Sequence, residues 1–582
     1  MLFAAFLLAF PASAQPGSSS SSPGAPSSPS PGGTATPGQA PPAPAGIGQP
    51  GGTQGFGGLG SGVPPTAADS RSRPGTVGFP FGSVGASPAG EPGEPPRAWR
   101  IVPSIGVTQS YNDNIFFTPR NRRDDFITTI TPALFLSVDT ARLQGTLNYA
   151  PGFSYYANTS DQNAITLNGN GQLLGTIVPD FFFIQARGSS FVQPISGNTP
   201  QTEDSTGQGN LVQTTTFSIS PYITYRFGGT ASAYAGYVYS YVDQSAASGN
   251  VGSNQQNFLA SQFDSSKYDS HQGFVVFRTG EDFGRFAGQA SLSGTTYVGE
   301  GLYDGAYRNI ALLETRYAIT QGIAALVEFG YQRERFNTLP VTEVDEPVWA
   351  FGVRLTPDPD SLVIAKYGRR DGFDSFYLNG NVAVGVRTQV AATYQETLTT
   401  SALAAGDLLS TTTVDALGNP VDAQTGVPVL PSLAVTNLAT GVLYRRKVSS
   451  ASVSQTWPRD TVRLALNYYE NTPIGAAVGS RATQLTSEST SLGLTWSHDL
   501  TPRASLITYG EYGITSTSGR TLNTEGTTIN LGITLTQELA PGLAGSLSYR
   551  FGWRDDGLTN TGQLSDGTAT QNVITAGLRQ TF

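Results

Sequence analysis

The sequence predicts an all-β fold, a transmembrane antiparallel up-and-down β-barrel of about 22 strands (range about 20–24), with a disordered N-terminal tether. Three observations predict it. The stretch "LAGSLSYRFGWR" (543–554) is apolar at alternate positions, and the same period of two recurs from Trp99 to the end. Short and long connectors alternate along that whole region. Only 13% of the 582 residues are charged, while 69 are Gly and 25 are Tyr, a composition suited to strands and turns.

Residues 1–14, "MLFAAFLLAFPASA", read as a secretory signal. The apolar run Leu2 to Phe10 leads into Ala12-Ser13-Ala14, a small-x-small cleavage site, although no Lys or Arg precedes it. Residues 15–97 are almost entirely Pro, Gly, Ser, Ala, Thr and Gln. They hold too few large apolar residues to offset the entropy of ordering, which predicts a periplasmic tether with an end-to-end distance of roughly 50 Å.

Residues 98–582 form the expected barrel domain, running from strands at 98–110, 126–138 and 141–157 to 525–538, 543–554 and 569–582. In "FITTITPALFLSV" (126–138), Phe126, Ile130, Leu134, Leu136 and Val138 share one face and Thr129, Thr131, Ala133 and Ser137 the other. Alternation alone fits a soluble sandwich equally well, and the connectors decide between them. Tight turns such as Asp139–Ala141, Val178–Asp180, Phe227–Thr230, Thr320–Gly322 and Trp457–Asp460 alternate with longer polar segments such as 111–125, 243–265, 400–435 and 555–570. Outer-membrane barrels have short periplasmic turns and longer outside loops. Tyr and Phe crowd the strand ends, as at Tyr155 and Tyr156, Tyr237 to Tyr241, Tyr468 and Tyr469, and Phe551 and Trp553, where membrane–water interfaces favour them. An even strand count places both barrel ends on one side.

The closing "NVITAGLRQTF" puts Ile574, Ala576, Leu578 and Phe582 on one face. It resembles the C-terminal signal read by the outer-membrane barrel assembly machinery, with Leu578 and Phe582 as its carriers. Gln580 stands where an aromatic is usual.

At "SYNDNIFFTP" (110–119), followed by "DDFITTITPALFLS" (124–137), the chain resembles the beta-barrel porin 2 family of outer-membrane proteins. That resemblance extends over roughly 98–582 and implies a barrel with a surface or export role, often associated with exopolysaccharide systems. It carries over no catalytic residues. Within the motif, Asp113 with Asn112 and Asn114 reads as a turn in which Asx side chains bond their own backbone, in preference to a cation site.

Catalytic and cofactor chemistry finds little support. There are no cysteines and two histidines, His271 and His498, without spaced partners for a metal. No phosphate-binding loop stands out, and "NGNGQ" (168–172) reads as strand. The net charge of −9 and the lack of a basic run argue against nucleic acid. The expectation is a protein that is not an enzyme and carries no cofactor or metal.

With the apolar faces toward lipid, the inward cations are Arg142, Arg187, Arg226, Arg316, Arg354, Lys366, Arg463, Arg550 and Arg579, and the inward acids are chiefly Glu314 and Glu328. Rings of cations favour anion passage, unless these arginines are paired by loop carboxylates. The resulting expectation is an outer-membrane, porin-like channel for passage or export of hydrophilic solutes, anionic or saccharide, with segment 400–435 together with 243–265 folding inward as a constriction. The alternative is a non-transporting surface, adhesion or polysaccharide-anchoring protein. An energised transporter needs a globular plug that 15–97 cannot supply. Expected partners are outer-membrane lipid and lipopolysaccharide, the assembly machinery, and a polysaccharide or export-system component.

Overall fold

The computed structural model describes residues 98–194, 211–246, 265–358, 361–414, 420–422, 438, 441–480, 484–519, 523–555 and 568–582. The expected signal (1–14) and tether (15–97) lie outside them.

Twenty-two antiparallel strands close into one barrel. They begin with β1 (Trp99–Asn112), β2 (Asp125–Asp139), β3 (Leu143–Tyr149 continued by Gly152–Tyr156) and β4 (Ala164–Thr166 continued by Gly169–Val178). Next come β5 (Phe182–Pro194), β6 (Leu211–Phe227), β7 (Ala231–Ala246), β8 (Ser266–Thr279), β9 (Phe286–Gly299) and β10 (Tyr307–Ala318). Then follow β11 (Ile323–Phe336), β12 (Thr342–Leu355), β13 (Leu362–Arg370), β14 (Phe373–Val384), β15 (Thr388–Thr399) and β16 (Val442–Thr456). The last six are β17 (Asp460–Ala477), β18 (Thr486–Thr501), β19 (Ala504–Ser518), β20 (Asn523–Ala540), β21 (Leu543–Asp555) and β22 (Thr568–Thr581). Each expected strand corresponds to one of these. The break in β3 falls at Pro151, which has no N–H to give to the ladder.

Every strand pairs with the next, and β22 pairs back onto β1 from Ser104↔Thr581 to Asn112↔Val573. In β21, Leu547 and Tyr549 are exposed on the outside, while Ser548, Arg550, Gly552 and Arg554 are buried. The outward half of the rule holds around the ring, while the inward half has apolar exceptions in Phe135, Phe183, Val276, Leu326, Val348 and Ile364, all buried. Leu292, Leu313, Phe329, Phe351 and Leu578 are each about half exposed or more, with inward neighbours Ser489, Thr575, Glu314 and Glu328 buried. An uninterrupted apolar exterior of this extent is unstable in water and stable in hydrocarbon.

Several strands run past the expected limits, β18 to Thr501 and β20 to Ala540 at the short-turn end and others at the long-loop end. β12 starts at Thr342 where the alternation starts near residue 346, and β17 continues to Ala477 beyond residue 470. The outward residues at this end of the wall are charged: Glu343 and Asp345 in the extension of β12, and Arg333, Glu396, Arg445, Lys447 and Glu470 near the ends of their strands. Tyrosine hydroxyls donate to acids along the same rim, Tyr331 to Asp345 at 2.6 Å, Tyr394 to Glu396 at 2.7 Å and Tyr468 to Glu470 at 3.1 Å. Strand pairing continues there into a polar layer, so the apolar period stops before the strand does. One long-end connection is instead a two-residue hairpin, Asp371–Gly372, both left-handed at φ 55° and 86°.

The motif at 110–119 locks the ring. Asn112 Oδ1 accepts from the Asn114 N–H at 2.9 Å, the expected Asx turn. Asp113 accepts from the Asn572 N–H at 2.6 Å and from its Nδ2 at 2.7 Å, extending the seam beyond the last ladder pair. Arg554 donates to the Phe117 carbonyl at 2.7 Å, and its guanidinium lies 4.8 Å from the Phe117 ring centroid. Asp113→Ala is expected to lower the urea-unfolding free energy in detergent by about 2 kcal/mol, the value of hydrogen bonds to a charged group. An unchanged unfolding midpoint would remove Asp113 from the seam.

Candidate functional site

The site is the interior of the barrel, and its main feature is a segment that enters from the wall. β15 pairs with β14 only as far as Leu378↔Tyr394, although it pairs with β16 through Thr399↔Tyr444. Gln395–Thr399 therefore leaves β14 and bends inward. Buried backbone groups released from a ladder need other partners, and Leu398 finds them in side chains. Its N–H donates to Asp371 Oδ2 at 3.2 Å, and its carbonyl accepts from Arg308 at 3.4 Å. Arg308 is also ion-paired to Glu334, and Gln332 bridges Glu334 (2.7 Å) and Asp371 (2.8 Å). All five side chains or backbone groups are buried.

Beyond this anchor comes the one α-helix among the described residues, α1 (Ser401–Thr411). It packs across the lumen against β5, β6 and β7. Ala402, Leu403 and Ala405 join Val242, Tyr268, Tyr297, Leu302, Tyr303 and Phe336 in one apolar cluster. Gly406 faces the Tyr268 hydroxyl so closely that a Cβ would lie 2.8 Å from it. Tyr303 Oη and Thr400 Oγ1 share a hydrogen bond of 2.6 Å, and Gln244 donates to the Ser401 carbonyl at 3.5 Å. Burial in this cluster pushes the Tyr303 hydroxyl well above its ordinary value, so it stays protonated. The inward course expected for segment 400–435 holds for its described beginning; segment 243–265 is described only at its edges.

The lumen-lining candidates separate into groups. Glu314, Glu328 and Lys366 come together on β10, β11 and β13, buried, with Lys366 Nζ 3.7 Å from Glu314 and 3.4 Å from Glu328. Arg316 and Arg354 lie beside them on β10 and β12, near the short-turn end. Arg187 is inward on β5 next to Tyr222. Arg463, Arg550 and Arg579 are inward on β17, β21 and β22, with Arg579 donating to Ser104 Oγ at 3.2 and 3.3 Å. Two candidates sit off the wall's interior. Arg142 is exposed in the turn before β3, and Arg226 is exposed at the last inward position of β6. The alternation that placed them is correct, but the strands end too soon to enclose them.

Arg278, Arg308, Glu334, Arg370, Asp371, Arg446 and Arg554 are further interior charges that the sequence reading passed over. All but Asp371 lie within the expected strands on the inward parity, Arg554 on the same polar face as Arg550, so the alternation itself was enough to find them. Both histidines face outward, His271 bonded to the Tyr237 hydroxyl at 2.5 Å and His498 to Asp460 at 2.8 Å. Leu578 and Phe582 are exposed on the outside of the closing strand. Tyr156 and Tyr469 face inward and are buried, unlike their neighbours Tyr155 and Tyr468 on the outward parity.

No family model matches the chain, and no curated protein matches it. Among solved structures it is similar to OccK2 (OpdF) of Pseudomonas aeruginosa in complex with glucuronate, at 11% identity and a TM-score of 0.32, covering 83% of this chain and 98% of that one. It is also similar to the FrpB iron transporter of Neisseria meningitidis in its apoprotein form, at 9% identity and a TM-score of 0.46, covering 84% and 81%. A third is the outer membrane protein opdK of Pseudomonas aeruginosa, at 10% identity and a TM-score of 0.31, covering 83% and 99%. Identities this low transfer neither cargo nor residue roles.

Leu403→Asp puts a carboxylate into the apolar cluster and is expected to undock α1. The single-channel conductance then rises while the heat-induced gel-mobility transition of the barrel stays in place. Equal conductance in the variant and the parent chain would mean that α1 does not narrow the path.

Proposed function

We propose that the chain is an outer-membrane channel of the porin type, passing hydrophilic solutes with a preference for anionic or saccharide ones. The observation that carries this reading is the closed ring of twenty-two strands with an apolar exterior and a polar, arginine-bearing interior. A ring of that size encloses water unless something fills it. Here α1 and its anchor occupy part of the outer mouth. Among the described residues the inward cations outnumber the inward acids Glu314, Glu328, Glu334, Asp371 and Glu511, which supports selection for anions.

Outer-membrane placement is supported by the alternation of short and long connectors and by the tyrosine–acid rim at the long-loop end, where lipopolysaccharide headgroups would lie. The outward Leu578 and Phe582 suit recognition by the barrel assembly machinery, with the N-terminal signal directing export. The likeness of residues 110–137 to the beta-barrel porin 2 family extends this reading to exopolysaccharide systems, whose components would be the partners.

In planar bilayers, the purified full chain is expected to give discrete conductance steps, with a reversal potential in a chloride salt gradient shifted toward anions. Deletion of 400–435 is expected to enlarge the steps. Silence from both proteins would overturn the channel reading and leave a surface-binding role.

A further inference from the structure

We infer that Arg316 and Arg354 form a subsite for the carboxylate of an acidic saccharide at the short-turn mouth of the lumen. The inference rests on the channel reading above and names the solute that reading leaves open.

Arg316 lies two residues from the end of β10, and Arg354 lies one residue from the end of β12. Arg316 is level with Leu326 on β11, and Leu326 with Gly352, two residues before Arg354. The two side chains thus start two strand spacings, about 10 Å, apart across the sheet and about 7 Å apart along it. Two arginines reaching toward each other from there can close on one oxyanion, and they are near enough to repel each other electrostatically. Neither makes an ion pair among the described residues. Arg354 is only 8% exposed, and its Nε has no hydrogen-bond partner. A buried, unpartnered guanidinium beside a second one is a costly arrangement that an incoming anion relieves.

The surrounding charges are already committed. Lys366 holds Glu314 and Glu328, Glu314 also faces Arg278, and Glu328 also faces Arg370. Two carboxylates therefore meet three cations and leave none of their charge to neutralise Arg316 and Arg354. Arg278 is turned to Gln289 by a 2.6 Å hydrogen bond. Planar guanidinium forks match a carboxylate in two parallel hydrogen bonds, which a hydroxyl of a neutral sugar cannot reproduce.

The test is titration calorimetry of the folded full chain in detergent, with a uronic-acid trisaccharide, its neutral glucose counterpart and inorganic phosphate as probes. The uronate is expected to bind and the neutral sugar not to. Arg316→Gln and Arg354→Gln each weaken uronate binding about tenfold or more, the loss of one charge-assisted hydrogen bond. Arg503→Gln, on the outer side of the short-turn end, leaves it unchanged. Arg354→Lys keeps the charge and loses the fork, so it falls between the parent and Arg354→Gln; a retained heat-induced gel shift shows each variant folded. Equal binding of uronate and neutral sugar, undiminished binding in both Gln variants, or tighter binding of phosphate than of uronate would each overturn the assignment. Binding is read without conduction, so a silent bilayer recording would sink the channel reading alone.

Discussion

Backbone hydrogen bonding in a medium without water is the constraint on which this molecule rests. A strand placed in hydrocarbon cannot leave an edge, because each orphaned N–H or C=O there costs several kcal/mol. The ring must close, and β22 must find β1. The interaction that completes this closure is Asp113 bound to both the backbone and the side chain of Asn572, just past the last ladder pair. The Asx turn at Asn112–Asn114 holds that carboxylate in place. What reads in the sequence as a local turn motif is thus also a long-range clasp, joining residues 459 positions apart.

The same constraint explains how the wall can give up part of a strand. Gln395–Thr399 leaves β14 at a level where water and side chains can replace the ladder, and Asp371 and Arg308 satisfy Leu398. Asp371 reaches this position because Gly372 permits a two-residue hairpin, which holds the carboxylate at the rim and pointing inward. Outside the wall, Arg445 bridges Glu396 at 2.6 Å and lies 4.4 Å from the Phe373 ring centroid, tying β14, β15 and β16 together where the ladder is missing.

Much of this was legible in the sequence, for a physical reason. Hydrocarbon enforces the outward half of the period of two, so Leu543 to Trp553 and Ile574 to Leu578 announce their faces directly. The turn at Asn112–Asn114 was legible because Asx side chains bond locally. Arg142 and Arg226 were misplaced because parity says which side a residue faces but not whether the strand is still enclosed. The early starts and late ends of β12 and β17 were invisible because strands above the bilayer obey no apolar period. The helix at Ser401–Thr411 was anticipated only as an inward course; its seat depends on Tyr268, Tyr297 and Tyr303, residues more than ninety positions away that no local pattern links to it.

The departure of β15 from β14 has a mechanical corollary. In register, Phe373 to Tyr377 would face Thr399 to Gln395, an unzipped stretch lying directly below the helix. Retraction of the helix toward the wall would exchange the Asp371 and Arg308 contacts for regular rungs of the sheet. That exchange would uncover the apolar cluster around Tyr268, Tyr297 and Tyr303, so the docked position is held by buried apolar surface as well as by the hydrogen bonds of Leu398.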